Sequence, residues 1–273
     1  MDLGLEDKVA LIAGGSSGLG LAVARELAAE GAHVAIGARD AGRLEAAERS
    51  IKAVARGRVC TASVDITDRE AARRWVDEVA ADFGALHIVV VSGASPPTGM
   101  ATRFGPQDYL QAMQTVFLPA VDLAHAALPH LQAAGWGRLL FVTSETATVP
   151  IASLAVSGVT RAAVARFAQG LAADVGRQGI TVNVLAPGAT RTQMVERAAA
   201  RLDDDIEAAL HNMGKHNALG RIGRPEEFAA MAAFLASERA SFITGCVHLI
   251  DGGGSVMGPD QPHFATTSKD TFA

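Results

Sequence analysis

The chain has 273 residues, 49% of them hydrophobic, and a formal net charge of −5 at pH 7. That is enough apolar material for the core of one full-size domain, and the acidic balance argues against nucleic acid or an anionic membrane surface as partner. Cys60 and Cys246 lie far apart in apolar, strand-like contexts, which fits buried thiols in a reducing compartment better than a disulfide framework. The acidic start, Met1 to Asp7, lacks the basic residues and apolar run of a signal peptide, and no apolar stretch approaches a membrane span. A soluble cytoplasmic protein is expected.

In chain order the first feature is a run of apolar and small residues, Val9 to Ala13, read as a strand buried on both faces. Glycines at 14, 18 and 20 follow, and Leu21 to Glu30 then runs at helical period. Strand, glycine-rich turn and helix in that order can hold a pyrophosphate. Glycine allows close backbone approach, and the helix N-terminus supplies free N–H groups and a positive dipole end. The alternation continues with strands over His33–Ala38, Val59–Val64, His87–Ser92, Arg138–Thr143, Ile180–Leu185 and Val247–Ile250. Helices are expected over Ala41–Ala55, Arg69–Phe83, Leu154–Arg177 and Pro106–Ala134, the last bent near Pro119. Strands separated by such helices require right-handed crossovers and a parallel sheet covered on both faces. The expected fold is a single-domain α/β Rossmann fold, with a doubly wound, seven-stranded parallel sheet in the order 3-2-1-4-5-6-7. The domain should occupy residues 1–257, with a polar, proline-bearing tail over 258–273.

The end of the second strand bears on cofactor choice. An acidic residue about 20 residues past the glycine turn accepts ribose hydroxyls and repels a 2′-phosphate. Here Ala38 is followed by Arg39, whose guanidinium could pair with that phosphate, so NADP(H) is expected over NAD(H). A solvated arginine at a helix start is the alternative. Asp65, ending the third strand, could accept from an adenine amine or cap a turn.

These features, taken together, resemble the short-chain dehydrogenase/reductase family from Lys8 to Gly253. The resemblance rests on Gly14, Gly18 and Gly20, on Asp65, and on Asn183 with Pro187-Gly188. Thr192, Arg224-Pro225-Glu226-Glu227 and Ile250-Asp251-Gly252-Gly253 extend it. It implies hydride transfer between nicotinamide C4 and a carbonyl or alcohol carbon. It also implies a dinucleotide held against Gly14, Ser16, Ser17, Gly18, Leu19, Gly20, Arg39, Asp65, Ile66, Ser92, Gly93, Arg161, Pro187, Gly188, Thr190 and Thr192. The long helices would form the contact of a homodimer or homotetramer.

The family's catalytic set resembles Asn, Ser and Tyr-x-x-x-Lys, and this sequence departs from it. Ser144 matches the serine that holds the substrate oxygen. Ser157 stands in the tyrosine position, Arg161 in the lysine position, and Val116 in the asparagine position. The turn after the fourth strand reads Val91-Ser92-Gly93-Ala94. A phenol can be brought towards neutral pKa, whereas an aliphatic hydroxyl starts far higher and is shorter. Arg161 keeps the positive charge without titrating near neutrality. Ser144, Ser157 and Arg161 are therefore the candidate catalytic residues. Tyr109, the only tyrosine, is read as a packing residue. Glu145 and His125 are the other titratable candidates, read first as a solvated glutamate and a helix-face histidine. The histidines show no metal-ligand pattern, so no metal site is expected.

The segment 189–220 is too long for a plain connection and is read as a substrate lid. Met194, Val195, Leu202, Ile206, Leu210 and Met213 give it an apolar face at helical spacing, with core packing as the competing account. The expected ligand is a small, largely apolar molecule. Three functions fit: an NADP-dependent oxidoreductase with an unusual proton source, a dinucleotide-binding partner or sensor with little turnover, or a non-redox enzyme reusing the pocket. The first is favoured because the cofactor positions are intact.

Overall fold

The computed structural model of the chain describes residues 2–257, so the expected tail lies outside the described residues. Strands β1 (Val9–Ala13), β2 (His33–Ala38), β3 (Val59–Ser63), β4 (Ile88–Ser92), β5 (Gly137–Val142), β6 (Ile180–Pro187) and β7 (Val247–Ile250) form one sheet. It has seven strands in the order β3-β2-β1-β4-β5-β6-β7, all pairs parallel. β1, β4, β5 and β6 are buried almost throughout, which is why they read as continuous apolar runs.

Helices α1 (Gly18–Ala29), α2 (Ala41–Lys52) and α9 (Pro225–Ala236) pack one face through Val23, Leu27, Leu44, Ile51 and Phe228. The other face receives α3 (Arg69–Phe83), α5 (Leu118–Ala134) and α6 (Ala155–Val175) through Trp75, Leu123, Leu131, Val164 and Leu171. Each such side chain, fully buried, contributes roughly 1.5–3 kcal/mol. Asp40 and Asp68 set the starts of α2 and α3 by accepting from the N–H of Arg43 and Ala71. β1 pairs with β2 on one side and β4 on the other, so the chain changes direction across the sheet beside the glycine turn.

The expected helix over 106–134 runs unbroken between those bounds, with a π-helical turn at the place where a bend was expected. α4 (Pro106–Ala112) leads into a π-helical turn, Met113–Phe117, before α5. Pro119 has no N–H to give the Thr115 carbonyl, and its ring crowds that carbonyl. The Thr115 hydroxyl donates to the Gln111 carbonyl at 2.9 Å, which loosens the same turn. Val116, the position matched to asparagine, lies buried in this turn.

At the amino edge of the sheet, Arg138 is only 2% exposed. Its Nε donates to the Ser237 carbonyl at 3.0 Å, and its guanidinium lies 4.0 Å from the centre of the Trp136 ring. Lys8 Nζ lies 4.5 Å from the same ring, and the His87 Nδ1 accepts from the Val9 N–H at 3.0 Å. These contacts join the starts of β1, β4 and β5. Of the thiols expected to be buried, Cys60 is half-buried but Cys246 is exposed. The chain leaves the last crossover through a surface turn at Thr244–Gly245, with Gly245 at φ 71°, and Cys246 lies on it just ahead of β7.

Candidate functional site

The carboxyl ends of β1, β4, β5 and β6 meet at one edge of the sheet, and the turn after β1 lies at its centre. Gly14 has φ 72°, and a Cβ there would stand 2.5 Å from the Ser92 carbonyl oxygen. A Cβ on Gly20 would collide with the Gly14 carbonyl. Both positions therefore need glycine for close packing of the turn against α1 and β4. Ser17 precedes α1 in an extended conformation without a side-chain cap, leaving the first N–H groups of this helix available to an anion. Thr192, from the segment after β6, lies over this turn: its Cγ2 would be 3.5 Å from a Cβ on Gly18. These features fit a dinucleotide pyrophosphate.

Next to the turn, Arg39 leaves the end of β2 and lies largely in solvent, its Nη1 4.0 Å from Asp65 Oδ2. Asp65 Oδ1 accepts from the Thr67 N–H at 2.9 Å and its hydroxyl at 2.8 Å. The Thr67 N–H, the Thr67 hydroxyl and Arg39 hold the Asp65 carboxyl below its usual range against a smaller effect of burial. The turn-capping alternative thus describes one oxygen of Asp65. The other faces Arg39.

Past β5 the chain runs through Ser144 in extended conformation into a single 3₁₀ turn, Glu145–Ala147. Ser144 Oγ accepts from the Thr146 N–H at 3.3 Å, and Thr146 Oγ1 lies 3.4 Å from Ser157 Oγ on α6. One turn along α6, Arg161 is 7% exposed. Its Nη2 donates to the Ala94 carbonyl at 2.9 Å and its Nη1 to the Val142 carbonyl at 3.3 Å, while Nε has no partner. Burial brings its pKa down to about 10, so it stays charged near neutrality. Arg161 therefore ties the loop after β4 to the end of β5 and leaves one buried donor free.

Glu145 departs from expectation. It is half-buried rather than solvated, and no donor among the described residues reaches its carboxylate. Its Oε2 lies 3.2 Å from where a Cβ on Gly188 would stand and 3.6 Å from the equivalent point on Gly254. Burial, with the Asp251 carboxylate adding to it, raises its pKa from 4.5 to about 7. Burial also acts to raise Asp251, but donors from Ser255 and Gly253 outweigh it and keep that carboxyl below its usual range. Among the described residues, no group of three or more His, Cys, Asp and Glu side chains is placed to hold a metal.

A family profile described as enoyl-(acyl carrier protein) reductase matches residues 13–255. Gluconate 5-dehydrogenase of Gluconobacter oxydans is 31% identical over 247 residues, 90% of this chain and 94% of that protein. The chain belongs to the short-chain dehydrogenase/reductase family. A tropinone reductase homolog of Arabidopsis thaliana is 32% identical over 258 residues, 93% of this chain and 94% of its own. Among solved structures, L-sorbose reductase from Gluconobacter frateurii, complexed with NADPH and L-sorbose, superposes with a TM-score of 0.89. It shares 32% identity and covers 93% of this chain and 98% of its own.

In this short-chain dehydrogenase/reductase chain, the carboxyl edge gathers most of the residues named from sequence. Gly14, Ser16, Ser17, Gly18, Leu19 and Gly20 form the turn and first helical residues, with Ser92 against Gly14. Gly93 is open, with no atom within 4 Å of an added Cβ. Pro187 ends β6, and Gly188 donates its N–H to the Ile250 carbonyl at 3.1 Å. Thr190 is buried and donates its hydroxyl to the Gly188 carbonyl at 3.2 Å, while Thr192 caps α7 (Gln193–Ala199). Ile66 packs partly into the core beneath α3.

Asn183 is fully buried away from this edge. It donates to the Ile243 carbonyl at 2.7 Å and accepts from the Cys246 N–H at 3.2 Å, so it secures β7. Glu227 caps α9 by accepting from the Arg224 N–H and pairs with Arg221. His125 lies edge-on to Phe167 and His130 bonds Asp77, both away from the site.

The segment 189–220 carries α7 and α8 (Ile206–Gly214), but its apolar residues divide. Leu210 packs with Val195, Met213, Ala199 and Ile222 into a small core of their own. Met194, Leu202 and Ile206 are exposed. The helices are too short to present one stripe to one partner. Met194 Sδ accepts from the Ser95 hydroxyl at 3.3 Å, so the segment touches the loop after β4 across the site.

Proposed function

We propose that this chain is an NADP-dependent oxidoreductase acting between nicotinamide and a carbonyl or alcohol carbon of a small, largely apolar substrate. The observation that carries this reading is the glycine turn closed against Ser92 and capped by Thr192, with Arg39 beside Asp65 at the adjoining strand end. A bound reduced nicotinamide supplies hydride. The uncapped start of α1 holds the pyrophosphate, and Arg39 pairs with the 2′-phosphate while Asp65 remains free to receive the adenine amine through Oδ2. Arg161 keeps the loop at Ala94 and the end of β5 in place, and its free Nε serves the ribose side. Ser144 and Ser157 orient the substrate oxygen, and residues 189–220 act as the lid.

The test is fluorescence titration with NADPH and NADH on the unmodified chain and on Arg39→Ala. NADPH is expected to bind more tightly by roughly 10- to 100-fold, a charge-assisted contact's worth, and the substitution to erase most of that gap. Equal affinities in the unmodified chain refute the role of Arg39. A second reading, a binding protein with little turnover, draws support from Ser157, whose hydroxyl is buried against Thr146 and does not titrate near neutrality. NADPH binding without reduction of any member of a carbonyl panel favours it.

A further inference from the structure

Reduction of a carbonyl places charge on its oxygen, and a proton must arrive there. The two serines at the site are aliphatic alcohols, too weakly acidic for the task, and Arg161 stays charged. We propose, resting on the oxidoreductase reading, that Glu145, next to Ser144 in the chain with its carboxyl against Gly188 and near Asp251 at the carboxyl edge of the sheet, is the proton donor to the substrate oxygen.

The placement comes from three distant parts of the chain. Glu145 follows Ser144, the residue assigned to the substrate oxygen, at the carboxyl end of β5 and opens the turn there. The end of β6 supplies Gly188, where an added Cβ would stand 2.8 Å from Asp251 Cβ and 3.2 Å from Glu145 Oε2, so the missing side chain lets both approach. The segment after β7 supplies Asp251, whose oxygens are occupied by the N–H groups of Gly253 and Ser255, so it has no proton to give Glu145. α6 packs on the other side of the turn with Ser157 against Thr146, and Arg161 beyond it is committed to the carbonyls of Ala94 and Val142. Asp251 is thus the charged group that bears on Glu145. No salt bridge or hydrogen bond among the described residues holds Glu145 ionised, so its neutral form is the one this surrounding favours. A neutral carboxyl is a donor, and one that titrates near working pH matches what a general acid needs.

The step balances simply. The carbonyl carbon takes hydride from a reduced nicotinamide, the C–O π pair moves to oxygen, and that oxygen takes the Glu145 proton. The products are an alcohol, the oxidised cofactor and a Glu145 carboxylate, which regains its proton from water. In the oxidative direction the same carboxylate accepts the alcohol proton.

The test combines a readout that needs no turnover with one that does. Infrared difference spectra across pH, taken for the full chain and for Glu145→Gln with and without NADPH, should show one carboxyl titrating near 7 that the variant lacks. Asp251→Asn should move that titration towards lower pH. With cyclohexanone and a wider ketone panel, Glu145→Gln should bind NADPH as tightly as the unmodified chain. It should lose roughly 10²–10⁴ in kcat, along with the fall in kcat above neutral pH. A Glu145 carboxyl that titrates near 4.5 overturns the role, as does a variant that keeps both kcat and the pH limb, and both leave the oxidoreductase reading standing. Failure of the unmodified chain to bind NADPH, or binding without reduction of any ketone, overturns that reading and the role together.

Discussion

Replacing Glu145 by glutamine should make the protein more stable, and by an amount set by pH. In the folded chain the carboxyl is raised from 4.5 to about 7, so at pH 8 folding forces an ionised group into a half-buried place beside Asp251. At about 1.4 kcal/mol per unit, the shift costs roughly 3 kcal/mol of folding free energy once both states are ionised. Because the folded value is the higher one, the folded state binds the extra proton between these limits. Stability is therefore full below 4.5 and falls as pH rises through 7. Glutamine has a similar shape and no charge, and its amide can donate to Asp251. Urea unfolding of both proteins, followed by tryptophan fluorescence at fixed protein concentration from pH 4.5 to 8.5, measures the difference. The variant should gain about 3 kcal/mol at the alkaline end, and the gain should shrink to its baseline near the acid end. A gain that does not change with pH would refute the assignment of the raised pKa to Glu145.

Gly14→Ala should weaken NADPH binding by at least roughly tenfold and cost about 1–2 kcal/mol of stability from its left-handed backbone alone, before the clash with the Ser92 carbonyl is counted. Equilibrium unfolding and nucleotide fluorescence read the two effects separately. Arg161→Ala should leave the carbonyls of Ala94 and Val142 without donors and lower stability by about 2–4 kcal/mol, and urea titration would expose an unaltered midpoint. Sedimentation at micromolar concentration should find a dimer or tetramer assembled through the long helices, and a monomer would contradict it.

The sheet was legible because burial on both faces removes polar residues from a central strand, and the bounds of β1 and β2 follow the apolar runs to the residue. β7, a half-buried edge strand, also has the expected bounds. The glycine turn was legible because its steric demands are local. The helix over 106–134 was legible in its bounds, but not the form of its irregularity: the missing N–H of Pro119 and the hydroxyl of Thr115 together widen a whole turn. Glu145 was hidden for a different reason. Its neighbours Gly188 and Asp251 arrive through β6 and β7, and nothing within the run Ser144-Glu145-Thr146 signals that a carboxyl there is deprived of donors. The exposure of Cys246 likewise depends on the surface turn at Thr244–Gly245 rather than on its apolar neighbours in sequence.

The cluster of Trp136, Arg138, Lys8 and His87 lies at the end of the sheet opposite the glycine turn. It fastens the starts of three strands with contacts that none of the site residues share. A sheet secured at one end keeps its strand starts fastened when side chains at the other are exchanged, whatever stability the exchange itself costs. Over evolutionary time, the chemistry of such a protein is free to drift while its architecture persists, and the same separation lets an engineer rewrite the reactive edge of this one without first rebuilding its foundation.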